Sequence, residues 1–112
     1  MTREHDDMSA MSDAVRMVGD GWTLLIIWAA FHGITRFDSF QRRLGMARNI
    51  LSNRLARLVD EGIMEKKPVA PGARRLEYRL TEKGAALKVV IEDLEAWGRY
   101  AMPEHRTVHA AE

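Results

Sequence analysis

The residues best suited to chemistry cluster between positions 48 and 57. Arg48, Asn49, Ser52 and Asn53 recur at helical spacing. Asparagine amides bond adenine edges, a guanidinium bonds guanine, and a serine hydroxyl pairs with several bases. Arg36, Arg42, Arg43 and Arg57, with Arg74 and Arg75 farther along, suit contacts to phosphates, which fix register without reading sequence. The pattern points to double-stranded DNA as a partner. Catalysis has no comparable support. The chain lacks a nucleophile–His–acid constellation, a phosphate-cradling glycine loop and a metal triad, and His32 is the only histidine outside the tails. His105 and His109 have helical metal-ligand spacing but no third ligand, so neither metal nor cofactor is expected.

Charge is distributed to match. Residues 36–75 carry ten Arg and Lys against four Asp and Glu, a net +6. Residues 1–35 are net −3 and residues 81–112 net −2. A basic centre between acidic flanks fits a polyanion-binding face with separate assembly elements. With 112 residues, 46% hydrophobic and 29% charged, the composition fits one domain with a modest core. Zero cysteines remove thiolate catalysis, cysteine zinc sites and thiol redox sensing. The longest apolar run, Trp22 to Phe31, is about half the roughly 20 residues that cross a bilayer. The polar, acidic start is unlike a signal peptide. A cytoplasmic, nucleoid-associated protein without membrane contact is expected.

The elements that must position these groups follow from periodicity. Met8, Met11, Val15 and Val18 form one apolar helix stripe. Gly19-Asp20-Gly21 breaks it, and Asp20 is placed to cap the next helix, Trp22 to about His32, which is apolar on nearly all sides and should be central. His32 should end that helix with its imidazole on the last carbonyls. Thr35 and Asp38 have capping-box spacing ahead of a short helix that points Phe37, Phe40 and Leu44 inward. After Gly45 a helix runs from about Ala47 to Glu61. With Leu51, Leu55 and Leu58 inward, Asn49, Asn53 and Ala56 face out, flanked by Ser52 and Arg57. Arg54 lies between the two sides, open to DNA or to a neighbouring acid.

Past Gly62, Ile63–Val69 and Arg75–Leu80 partly alternate as strands around a Pro71-Gly72 turn. Thr81 caps a last helix with the stripe Leu87, Val90, Ile91, Leu94, Trp97 and Ala101. Residues 1–7 and 103–112 should fray around a domain at 8–102. The order is mainly α with a small β-hairpin, a helix-turn-helix carrying a basic wing. An α-helix fits the major groove, roughly 12 Å wide. Lys66 and Lys67 read as strand-edge solubility residues.

Four motifs in order resemble the HxlR-type winged-helix regulators, relatives of the MarR regulators. They are Val18-Gly19-Asp20-Gly21-Trp22-Thr23-Leu24-Leu25-Ile26, Arg36-Phe37-Asp38-Ser39-Phe40, Leu51-Ser52-Asn53-Arg54-Leu55-Ala56-Arg57-Leu58, and Glu77-Tyr78-Arg79-Leu80-Thr81-Glu82-Lys83-Gly84. The resemblance runs from about Ser9 to Trp97. It implies a homodimeric transcription factor, more often a repressor than an activator, joined through its first and last helices. Met8, Met11, Val15, Leu87, Val90, Ile91, Leu94 and Trp97 would supply that seam. Ser9 stands where many such regulators carry a sensing cysteine, and Ala47 where a serine cap is common, leaving the recognition helix's N-cap and register open.

Two other readings stand beside this one. A winged-helix protein-interaction module would keep the fold and stripes, yet has no need of basic residues on both helix and hairpin tip. An apolar small-molecule effector would fit where Met11, Met17, Trp22, Trp28, Phe31 and Trp97 converge. Ordinary core packing accounts for the same six and is preferred.

Overall fold

The computed structural model describes the backbone of residues 3–102 and the side chains of Met8 to Met102. Its order is α1 (Arg3–Val18), α2 (Gly21–Phe31), α3 (Phe37–Leu44), α4 (Arg48–Asp60), β1 (Met64–Pro68), β2 (Leu76–Leu80), α5 (Glu82–Ala85) and α6 (Lys88–Ala101). The backbone of residues 3–7 is helical, ahead of the expected start at Met8. Residues 1–2 and 103–112, with His105 and His109, lie outside the described residues.

The rest is built around α2. It touches α3, α4, α6 and β2, and Thr23, Ile26, Ile27 and Ala29 are buried. Asp20 caps it as expected, accepting from the Thr23 amide at 3.0 Å. At the other end His32 donates from Nδ1 to the Trp28 carbonyl at 2.8 Å, satisfying a terminal acceptor. Phe40, Leu51, Leu55, Leu58, Ile63 and Met64 complete the core with Met46 and Ile91. Each fully buried side chain of this size is worth roughly 1.5–3 kcal/mol, so this set fixes α3 and α4 against α2.

The strands pair antiparallel with Lys66 opposite Tyr78. Gly72 turns the hairpin at φ +80°. The outer edge of β2 is partly covered, because the Tyr78 amide donates to the Thr35 carbonyl at 2.7 Å. That bond corrects the expected capping box. Thr35 is drawn onto the sheet edge, Arg36 becomes the N-cap of α3, and no side chain caps that helix.

Thr81 does cap, its hydroxyl accepting from Gly84 N at 3.1 Å, but the helix expected to follow is broken in two. The Leu87 amide closes on the Gly84 carbonyl at 3.0 Å, a tighter i to i−3 turn, before α6 begins. Gly84 is needed there: a Cβ would collide with the Ile63 carbonyl. α1 differs from everything else. Every side chain from Met8 to Arg16 is exposed, and among its described side chains only Met17 and Val18 reach the core. Its axis makes 77° with α2. Among the described residues no single helix is long and apolar enough to cross a membrane.

Candidate nucleic-acid interface

The turn between α3 and α4 sets the site. Gly45 ends α3 in the left-handed region (φ 65°, ψ 33°), with its amide on the Gln41 carbonyl, a conformation for which glycine carries no Cβ penalty. Buried Met46 then anchors the turn, and Gln41 Nε2 donates to its carbonyl at 3.4 Å. α4 starts at Arg48 with Ala47 as N-cap and no side-chain cap bond. Leu51, Leu55 and Leu58 are buried against the core, while Arg48, Asn49, Ser52, Asn53, Ala56 and Arg57 are all exposed. The polar face anticipated from a turn of about 100° per residue is there.

The arginines divide into two groups. Arg36, Arg42, Arg48 and Arg75, brought from α3, α4 and the hairpin, line one open depression of about 340 Å³ with Phe37, Asp38, Ser39 and Leu76. Arg36, Arg42 and Arg75, and Arg74 nearer the hairpin turn, have no ion pair or side-chain hydrogen bond among the described residues. Their charges are available to an outside anion. The α3 N-terminus, without a side-chain cap, adds its amide dipoles on the same side.

Other arginines are partly engaged. Arg48 folds back over the Phe37 ring, 4.6 Å from its centroid, and sits 3.7 Å from Asp38. Arg43 points the other way and stacks on Trp28 at 4.9 Å, on a side where the Trp28 indole donates to Glu95 of α6 at 3.3 Å. Arg57 donates to the Arg16 carbonyl at 3.2 Å, closing the C-terminal end of α1, where Arg16 also pairs with Glu61 at 3.3 Å. The structure therefore gathers Arg36, Arg42 and Arg75 around Arg48 and leaves Arg43 and Arg57 apart. Sequence reasoning had no signal for these divisions, which depend on partners distant in the chain.

Arg54 takes the acid that its intermediate position allowed. Its Nε donates to Asp20 Oδ2 at 2.9 Å and its Nη2 to Oδ1 at 3.4 Å. The guanidinium, helped by the Thr23 amide and hydroxyl, holds the Asp20 carboxyl down to about 2 against the cost of burial. The remaining Nη1 donates to Asn53 Oδ1 at 2.9 Å. This three-residue link ties the α2 N-terminus to the exposed face of α4.

A second surface is apolar. Met8, Met11 and Val15 on α1 and Val90, Leu94 and Trp97 on α6 are exposed, Trp97 by 65%. Val89, Tyr100 and Leu25 join them, which the stripe did not anticipate. Ile91 does not belong there: it is 6% exposed and packs in the protomer's own core, with Leu87 half-buried against it. The six residues considered for an effector do not converge either. Met17, Trp22, Trp28 and Phe31 pack on the core, whereas Met11 and Trp97 are exposed.

A family model for HxlR-like helix-turn-helix proteins matches residues 17–106. The uncharacterized HTH-type transcriptional regulator Rv3095 of Mycobacterium tuberculosis is 43% identical over 90 residues, covering 80% of this chain and 57% of that protein. The chain thus spans little more than half the length of that relative. The HTH-type transcriptional regulator YodB of Bacillus subtilis is 32% identical over 88 residues, 78% of this chain and 79% of its own. Its reduced form superposes with a TM-score of 0.70 at 28% identity, over 92% of this chain and 97% of that one. The crystal structure of PA1607, a candidate transcription factor, gives a TM-score of 0.75 at 44% identity, over 79% of this chain and 61% of that one. These relatives are regulators rather than enzymes. On the family match, the winged helix-turn-helix architecture and these relatives together, the chain belongs to the HxlR-like helix-turn-helix family.

Proposed function

We propose that this protein is a sequence-specific DNA-binding transcriptional regulator, working in the cytoplasm on the nucleoid. The observation that carries the reading is the open depression in which Arg36, Arg42 and Arg75 stand, without partners among the described residues, beside the exposed face of α4. α4 enters the major groove and reads bases through Asn49, Ser52 and Asn53. Arg48 swings off Phe37 to join them or to grip the backbone. Arg36, Arg42 and Arg75 hold phosphates next to the helix, and Arg74 extends the contact along the wing. Arg43 and Arg57 touch the backbone only by leaving their present partners.

The active form is a homodimer on a pseudo-palindromic promoter site. Two copies bury the exposed residues of α1 and α6 against one another, since apolar patches of this kind mark interfaces. α1 in particular needs a partner, because its side chains from Met8 to Arg16 are exposed and a helix without packing is marginal in water. The two-fold then spaces the recognition helices one helical turn apart, ~34 Å. Repression is the expected outcome, by occupying promoter DNA.

Footprinting the tagged protein across the genome that encodes it tests the reading. Enriched sites with two-fold symmetry near promoters, and transcripts there that rise when the gene is deleted, are expected. Absence of any enriched site would overturn DNA recognition, and falling transcripts would overturn repression.

A further inference from the structure

We propose that Arg54 makes Asn53 a donor-only reader of DNA, so that this position selects guanine or thymine and rejects adenine. The inference rests on the DNA-contact reading above and goes beyond it by assigning what the side chain recognises. A guanidinium has five N–H donors and no acceptor. The Asn53 atom 2.9 Å from Arg54 Nη1 must therefore be the amide oxygen, which leaves the amide nitrogen turned outward. Arg54 is not free to let go, because Nε and Nη2 are held by Asp20, and Asp20 is fixed in turn by the amide and hydroxyl of Thr23.

The consequence lies in the groove code. Adenine presents N7 as an acceptor and N6 as a donor, so an asparagine reads it with its oxygen and nitrogen together. The Asn53 oxygen already accepts a charge-assisted bond, the stronger kind. Its second lone pair lies beside a cation, where an adenine N6 amino group would meet the guanidinium donor to donor. The amide nitrogen retains its donors, which match O6 and N7 of guanine or O4 of thymine, whereas adenine offers them only N7 with its N6 donor alongside. Asn49, whose amide has no side-chain partner among the described residues, keeps both functions and can read adenine. Two asparagines one helical turn apart thus read different bases. Arg54 acts as a positioning residue, through Asn53.

Selection of duplexes from a randomised library by the full chain tests the proposal. The base pair facing Asn53 is the one whose preference disappears in Asn53→Ala. Wild type should favour guanine or thymine over adenine there by on the order of tenfold, the scale of one good base contact. Arg54→Met and Arg54→Gln remove the Nη1 donor, free the oxygen and should move the preference toward adenine at that pair alone. Arg54→Gln keeps an amide donor for Asp20 and carries the test should Arg54→Met fail to fold by circular dichroism. A wild-type preference for adenine, no pair responding to Asn53→Ala, or an unchanged base choice in a folded release variant would each overturn the proposal while leaving DNA binding intact. Enrichment of no sequence at all would overturn the DNA reading and this one with it.

Discussion

Replacing Arg36 and Arg75 together with alanine probes the open depression directly. Both side chains are exposed and neither has an ion pair among the described residues, so the fold should be nearly indifferent, within about 0.5 kcal/mol. Arg36 is the N-cap of α3 but caps through no side-chain bond, which removes the main route to destabilisation. DNA binding should respond strongly. Removing one phosphate-bound arginine lowers the slope of log affinity against log salt by about 0.9, so the pair gives about 1.8 per protomer and about 3.6 for a dimer on one site. Between about 50 and 200 mM salt, wild type should then weaken roughly 150-fold more than the dimeric variant, or about 12-fold more if one protomer binds alone. Fluorescence anisotropy with a labelled duplex, titrated at four or five salt concentrations, reads the slope. The same slope in both proteins would refute the assignment. A change near the smaller value would keep the phosphate site and refute the two-fold arrangement.

Other perturbations address separate parts of the structure. Asn49→Ala should relax preference at one or two base pairs and cost ~1–3 kcal/mol on the preferred duplex only, and equal weakening on all duplexes would reassign it to the backbone. Leu94→Glu, on the exposed side of α6, should yield monomer in sedimentation velocity, and an intact dimer would exclude this seam. Gly84→Ala should destabilise by ~1–3 kcal/mol in urea titration through collision with the Ile63 carbonyl, a cost exceeding the roughly 1 kcal/mol that alanine gains in a helix. Asp20 titrates near 2 when folded, against an ordinary 3.8. Its pairing therefore contributes stability above pH 3.8 that fades as the pH falls toward 2. Acid unfolding followed by circular dichroism should show that slope in wild type and a shallower one in Asp20→Asn.

Local signals carried much of this architecture. The cap at Asp20, the glycine breaks, the inward leucines of α4 and the Pro-Gly hairpin turn each depend on a few neighbouring residues, and periodicity reports them. Signals failed where a distant group competed. Thr35 had capping-box spacing, but the unpaired Tyr78 amide on the β2 edge claimed its carbonyl instead. Ile91 lies on the same stripe as Val90 and Leu94, yet only Ile91 turns inward, and a stripe apolar on two sides does not say which side meets its own core. Equal arginines in the sequence became unequal in space, because Phe37, Trp28 and the Arg16 carbonyl stand near some and not others. The face of α4 was legible; the state of each charge upon it was not.

The break at Ala86 and Leu87 makes a joint with a long lever. On one side α5 is fastened to the hairpin base, with Thr81 Oγ1 donating to the Gly62 carbonyl and Lys83 Nζ to that of Glu61. On the other side α6, which touches α2, runs 14 residues, about 21 Å at a rise of about 1.5 Å per residue. A rotation of roughly 10° at Leu87 displaces the far end of such a rod by about 3.7 Å, close to the roughly 3.4 Å between stacked base pairs. A rotation of about 10° in one short connection is thus amplified to the scale of a whole step along the double helix.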